Sequence, residues 1–133
     1  MQNVDNRDGI VRKRSSPKGF PYTGMLTSSL DQQPGGSPNI REVVNTLGSL
    51  TAGTGFQTIR FPFVSQSVVK AWEVGGTYNG SQITQTTIAT LVDSYGTPYD
   101  VTTTTAEQVT ANGVQQGAQY TQRVYSPTAN LLN

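Results

Sequence analysis

The chain has 133 residues, enough for one domain with a modest core, and only 13% of them are charged. It contains no cysteine and no histidine, which excludes a disulfide framework, thiolate or imidazole metal sites and the usual nucleophilic triads. Ser, Thr, Asn and Gln supply 50 residues, 19 of them threonine. Because β-branched residues favour pleated surfaces over helices, the composition predicts an all-β protein with a neutral polar exterior.

Residues 1–37 are predicted to form a long extended N-terminal arm. Three prolines and five glycines within it discourage helices and interrupt strand ladders. The first 18 residues carry five basic and two acidic side chains, whereas the remainder has four basic and six acidic ones. Apolar residues recur at short intervals, which is typical of a strap pinned to a surface. The partner-binding residues expected in the arm are Arg12, Lys13, Arg14, Lys18, Phe20, Tyr22, Met25 and Leu26.

Residues 38–133 are predicted to form a β-rich domain that begins with a short helix over about 38–47. Ser37 is a suitable N-cap, and Pro38 would occupy the first helical position, where its missing N–H is not needed. Gly48 is placed to end the helix. The apolar residues have the spacing i, i+3, i+4, i+7 of one helical stripe: Ile40, Val43, Val44 and Leu47.

From about residue 55 the apolar pattern changes to period two, which predicts strands in a small β-sandwich or jelly-roll-like fold. Pro62 cannot donate to a ladder, so its strand is expected at an edge or a bulge. Asn79-Gly80 predicts a hairpin turn, and residues 93–98 predict a second turn. The residues expected in the core are Phe61, Phe63, Val68, Trp72 and Val74.

Residues 104–113 allow two interpretations. Thr104 and Glu107 have the spacing of a capping box, and Gly113 could end a short helix. Alternatively, Asn112-Gly113 forms a hairpin turn between two strands, and the Thr- and Val-rich surroundings favour this interpretation.

The ionisable residues give no indication of catalysis, so we expect no enzyme, no cofactor and no metal. Acidic residues are thinly spread along the chain. Asp93 and Asp100 could meet across a turn and bind calcium, but their spacing is more typical of turn-forming aspartates. The glycine-rich residues 48–55 have no following lysine, which indicates a linker instead of a phosphate-binding loop.

The composition resembles that of structural proteins of virus and phage particles. We therefore expect a non-enzymatic subunit, a capsid-decorating (cement) or minor shell protein whose arm straps onto neighbouring subunits. Its partners would be copies of itself or a major shell protein, with nucleic acid contacted only through the basic arm, and no membrane or small-molecule substrate. With no secretory signal and no long apolar stretch, the expected location is a virion assembled in the host cytoplasm.

A second interpretation is a tail- or fibre-type binding module that recognises carbohydrate. Surface aromatic rings would then form a stacking platform, for which the candidates are Trp72, Tyr78, Tyr95, Tyr99, Tyr120 and Tyr125. A concave aromatic patch with converging polar groups would favour this module, whereas contacts of residues 1–37 with other chains would favour the shell subunit.

Overall fold

The computed structural model describes residues 2–5, 9–52, 55–96 and 98–125. These residues form one antiparallel sheet in which each strand pairs with the next one along the chain. A 3-10 turn, Gly55–Gln57, lies between the fourth and fifth strands. The eight strands are β1 (Gln2–Asp5), β2 (Val11–Ser15), β3 (Ser28–Gln32), β4 (Asn39–Ala52), β5 (Ile59–Trp72), β6 (Tyr78–Val92), β7 (Pro98–Val109) and β8 (Gln115–Tyr125).

The predicted all-β class is confirmed, but the described residues form a single layer. A sandwich or jelly roll is not confirmed, because no second sheet is present among the eight described strands. An extended arm is not confirmed either. The described part of residues 1–37 contributes β1, β2 and β3, and β3 pairs directly with β4. The N-terminal segment therefore continues the sheet.

The helix predicted over residues 38–47 is wrong, because this segment belongs to strand β4. The strand pairs with β5 over residues 41–52 and with β3 over residues 39–44, so its backbone hydrogen bonds go to neighbouring strands and not along a helix. Its β-branched residues also favour a strand. The helical spacing was misleading because successive apolar residues are divided between the two faces, with Val44 on one face and Val43 and Leu47 on the other.

Gly48 does not end a helix but lies within β4, opposite Phe63. A Cβ atom at this position would lie 3.1 Å from the Phe63 ring and 3.3 Å from Ser65 Cβ. The missing side chain therefore leaves room for the ring to lie across the neighbouring strand.

Three hairpin turns connect the last four strands. The turn in residues 93–98 is confirmed, with the Gly96 N–H donating to the Asp93 carbonyl at 3.1 Å. The hairpin interpretation of residues 104–113 is also confirmed, since the Gly113 N–H donates to the Thr110 carbonyl and β7 pairs with β8. The turn predicted at Asn79-Gly80 is wrong in position. It lies at residues 73–77, where the Glu73 N–H donates to the Thr77 carbonyl at 2.8 Å.

The sheet forks between β5 and β6. Their pairing begins at Gln66 opposite Gln85 and continues toward the turn at residues 73–77. Residues 59–65 of β5 consequently pair only with β4, and residues 86–92 of β6 pair only with β7. Pro62 lies on the free edge created by this fork, as predicted from its missing donor.

Gly80 is required by a bulge between β5 and β6. Its φ of +107° lies in the region that residues with side chains rarely adopt, and a Cβ atom would lie only 2.2 Å from the Val109 carbonyl oxygen. The Asn79-Gly80 pair is thus used to bring β6 close to the end of β7.

We expect Gly80→Ala to destabilise the chain by about 2 kcal/mol or more, since backbone strain adds to a clash with backbone atoms. Gly117→Ala is the matched control, because a Cβ atom there meets nothing within 4 Å and no positive φ is required. The urea midpoint should fall for Gly80→Ala and stay unchanged or rise for Gly117→Ala. Equal midpoints would contradict the bulge geometry.

Candidate functional site

The pairing register assigns each strand residue to one of two faces, because side chains alternate along a strand and paired residues share a face. We call the face that carries Phe63, Val68 and Trp72 the aromatic face. The opposite face, which carries Arg41, is the arginine face.

Six aromatic residues of the described strands lie on the aromatic face. They come from four consecutive strands, β5 to β8, and the rings at its outer positions are well exposed, with Tyr120 64% accessible. The Trp72 and Tyr78 rings contact each other, with centroids 5.4 Å apart and planes tilted by 46°. The six residues are Phe61, Phe63, Trp72, Tyr78, Tyr99 and Tyr120.

The arginine face collects the arginines of the described strands. By register these are Arg12, Arg14, Arg41, Arg60 and Arg123, accompanied by Asp5, Asp31 and Asp100. This face therefore has an excess of positive charge. The aromatic face carries two strand cations and two strand anions, which balance: Lys13, Lys70, Glu42 and Glu107.

The predicted core does not exist as an enclosed core in the described residues. Phe63, Val68 and Trp72 are half-buried on the aromatic face, while Phe61 is exposed. Val74 lies in the turn at residues 73–77 and is 86% accessible, so its assignment to the core was wrong. Val101 alone among the described apolar residues is buried. A one-layer sheet has no opposing layer that could cover these side chains.

Ion pairs join neighbouring strands on both faces of the described sheet. On the aromatic face, Lys70 Nζ lies 2.9 Å from Glu42 Oε2, and the two residues are directly opposite in the ladder. On the arginine face, Arg12 Nε lies 4.0 Å from Asp31 Oδ1. Both pairs are partly exposed, so each is worth no more than about 1 kcal/mol.

The eight predicted partner-binding residues do not lie together. In β2, Arg12 pairs with Asp31 within the chain, Lys13 is half-buried on the aromatic face, and Arg14 is exposed on the arginine face. The other five lie in the connection between β2 and β3. Among these, Lys18, Phe20 and Leu26 are exposed, whereas Tyr22 and Met25 are half-buried.

The connection between β2 and β3, residues 16–27, is held by hydrogen bonds. Backbone bonds run from Tyr22 N–H to the Gly19 carbonyl at 2.9 Å and from Met25 N–H to the Tyr22 carbonyl at 3.0 Å. Asn45 Nδ2 donates to the Leu26 carbonyl at 2.9 Å, which ties the connection to β4. Phe20 is nevertheless 80% accessible, so its ring points away from these contacts.

Connections at one end of the sheet each present an exposed ring. Phe20 lies between β2 and β3, Phe56 between β4 and β5, and Tyr95 between β6 and β7. These three connections lie at the same end because the strands run antiparallel in chain order. Exposed rings in several connections are typical of a contact surface.

Few of the described residues are arranged so that they could act in acid–base catalysis or bind a metal ion. Asp93 accepts a bond from the Tyr95 N–H at 2.8 Å, as expected of an aspartate at a turn, whereas Asp100 lies in β7 and accepts one from the hydroxyl of its cross-strand partner Thr90 at 2.7 Å. No group of three potential metal ligands is found in the part of the chain that the structure describes. A recess of about 300 Å³ beside Gly80 is lined by Val69, Gln82 and Gln108 among others, and by no ionisable side chain.

None of the helices in the described ranges is long and apolar enough to cross a membrane. Comparisons with protein-family models, with curated proteins and with solved structures find no match. The function is therefore inferred from the chemistry of the two faces and of the connections.

The division into faces was missed from the sequence, although its signal is present there. In residues 59–63, Phe61 and Phe63 alternate with Arg60. In residues 120–123, Tyr120 and Arg123 are an odd number of residues apart, so along a strand they too point to opposite faces. The alternation indicates that rings and guanidinium groups point in opposite directions. Extending it over the whole sheet requires the strand order and register.

We expect Glu42→Gln to lower the free energy of unfolding by up to about 1 kcal/mol, because it removes the partner of Lys70 on a partly apolar face. The loss should shrink at high salt. Glu107→Gln is a suitable control, because it changes the same charge on the same face without breaking this pair. Urea unfolding at low and high salt measures the free energy of unfolding of both variants. An equal loss for the two would contradict the role of the ion pair.

Proposed function

We propose that this protein is a non-enzymatic structural subunit of a virus or phage particle, a capsid-decorating or minor shell protein. The observation that carries the proposal is the uncovered aromatic face of a one-layer sheet. A sheet with one apolar face gains its stability by covering that face with another layer. Since the eight described strands supply no such layer, we infer that another chain supplies it.

The amount of exposed surface supports the same proposal. The chain exposes 9221 Å², although its mass is only 14.3 kDa. A compact monomer of this mass exposes roughly 6,800 Å², so about 2,400 Å² per chain is in excess. An excess of this size is in the range that obligate interfaces remove. Subunits of large assemblies bury such areas against their neighbours.

Within this proposal, the contact with neighbouring subunits that was expected of the whole of residues 1–37 is made by the connection between β2 and β3. The cations of β2 are partly used within the chain, as Arg12 faces Asp31. The exposed apolar side chains Phe20 and Leu26 have more to gain from a neighbouring subunit. The exposed cations Arg14 and Lys18 would then orient the docking, and nucleic acid remains a partner only through these N-terminal cations.

The assembly itself is tested with the purified full-length chain. Sedimentation velocity and negative-stain electron microscopy should reveal species much larger than a dimer, with closed or regular shapes. A chain that remains a monomer or a dimer at high concentration, and that also fails to bind a preformed particle, would overturn the proposal. Specific binding to a glycan array would instead favour the carbohydrate-binding module.

We expect Phe20→Ser to weaken assembly with little effect on folding, because the ring is mostly exposed in the isolated chain. The matched control is Thr23→Ser, an exposed position in the same connection. The urea midpoints of both variants should equal that of the wild type, whereas the critical concentration for assembly should rise about tenfold for Phe20→Ser only. An unchanged critical concentration would show that this connection has no cohesive role.

A further inference from the structure

We propose that the aromatic face of one chain packs against the aromatic face of a second copy, forming a two-layer dimer around a two-fold axis. This inference rests on the proposed function and names the first contact of the assembly. In such a dimer the same patch meets itself, which is the usual symmetry of homodimers. The two sheets together would form the sandwich that a single chain lacks.

The area available agrees with a second copy as the occupant. Obligate homodimers bury about 2,000 to 5,000 Å² in total over both partners. Burying the excess of about 2,400 Å² on each of two chains would remove about 4,800 Å², which is within that range. The aromatic face also carries exposed aliphatic groups at its margins, such as Leu91, which is 45% accessible. Large rings and aliphatic side chains are the groups that fill the roughly 10 Å between packed sheets.

The distribution of charge selects this face over the other. If two arginine faces packed together, the five strand arginines of one chain would face the five of the other. Each chain supplies only three strand aspartates on this face to offset them. On the aromatic face the two strand cations and two strand anions balance, and Lys70 already pairs with Glu42 inside the chain. Packing the aromatic faces together therefore avoids like-charge repulsion and leaves the arginines outward.

The chain's lack of cysteine makes thiol labelling a direct test of this orientation. Gln85→Cys and Gln82→Cys place single thiols in the same strand at exposed positions, the first on the aromatic face and the second on the arginine face. In the assembled protein, maleimide should modify the thiol of the Gln85→Cys variant at least about tenfold more slowly than the thiol of the Gln82→Cys variant, since the interior of an interface excludes water. In urea the two rates should become equal.

A second pair of variants tests whether the face holds the copies together. Leu91 and Val92 are adjacent exposed residues of β6 on opposite faces. Leu91→Glu should weaken the dimer about 30-fold or more, whereas Val92→Glu should change its dissociation constant less than about threefold. Light scattering over a dilution series measures both constants, and circular dichroism reports whether each variant is folded.

The outcomes separate this inference from the proposed function. Slow labelling on the arginine face, or a weaker dimer for Val92→Glu alone, would overturn the aromatic-face pairing while leaving a self-assembling subunit intact. Equal labelling of both thiols in the native state would overturn it as well. A dimer with the expected labelling pattern that neither grows further nor binds a preformed particle would support the pairing and contradict the proposed role in a large particle.

Discussion

The structure depends on the backbone ladder between neighbouring strands, and above all on two long pairings, of β4 with β5 and of β6 with β7. Twelve residue pairs join the strands in each, with a register shift near Leu47 in the first and none in the second. In a protein with an enclosed core, side-chain burial supplies most of the stability and the ladder follows it. Here a single apolar residue is buried among the described ones, so the ladder defines the shape while side-chain burial is left incomplete. Incomplete burial is the physical reason for expecting a partner.

The same constraint explains which features could be predicted from the sequence. Turns are local, so Asp93 to Gly96 and Thr110 to Gly113 were predicted from their own residues. The strand class follows from composition, because threonine and valine favour the pleat wherever they lie. The turn at residues 73–77 was misplaced because Asn79-Gly80 is the stronger hairpin signal, whereas the structure uses Gly80 as a bulge.

The errors share a non-local cause. The apolar spacing around Val43 and Val44 fits a helix and also fits a strand with two half-covered faces, and only the neighbours β3 and β5 decide between them. The core prediction assumed a second layer that the described residues do not provide, which is why Phe61 is exposed, whereas Val74 is exposed because it lies in the turn at residues 73–77. Of the candidate site, Phe20 was predicted to bind a partner, which stays a prediction, and its ring is exposed in the described chain. The division into an aromatic and an arginine face was not, because it emerges only from the register of seven pairings.

The edges of the sheet indicate where further chains can be added without disturbing either face. Unpaired strand edges invite pairing with another chain, and natural sheets protect them with proline, charge or short length. The free edge of β5 carries Pro62, and the outer strand β1 has only four residues. The outer strand β8 spans 11 residues without proline and carries one charged side chain, Arg123. The two outer edges therefore differ: β1 is protected by its short length, whereas β8 leaves the longer row of backbone groups to water or to a neighbouring subunit.

Face pairing alone closes a dimer, so an assembly that grows beyond two chains needs a second contact. The β8 edge and the exposed rings of the connections are the surfaces that remain for it.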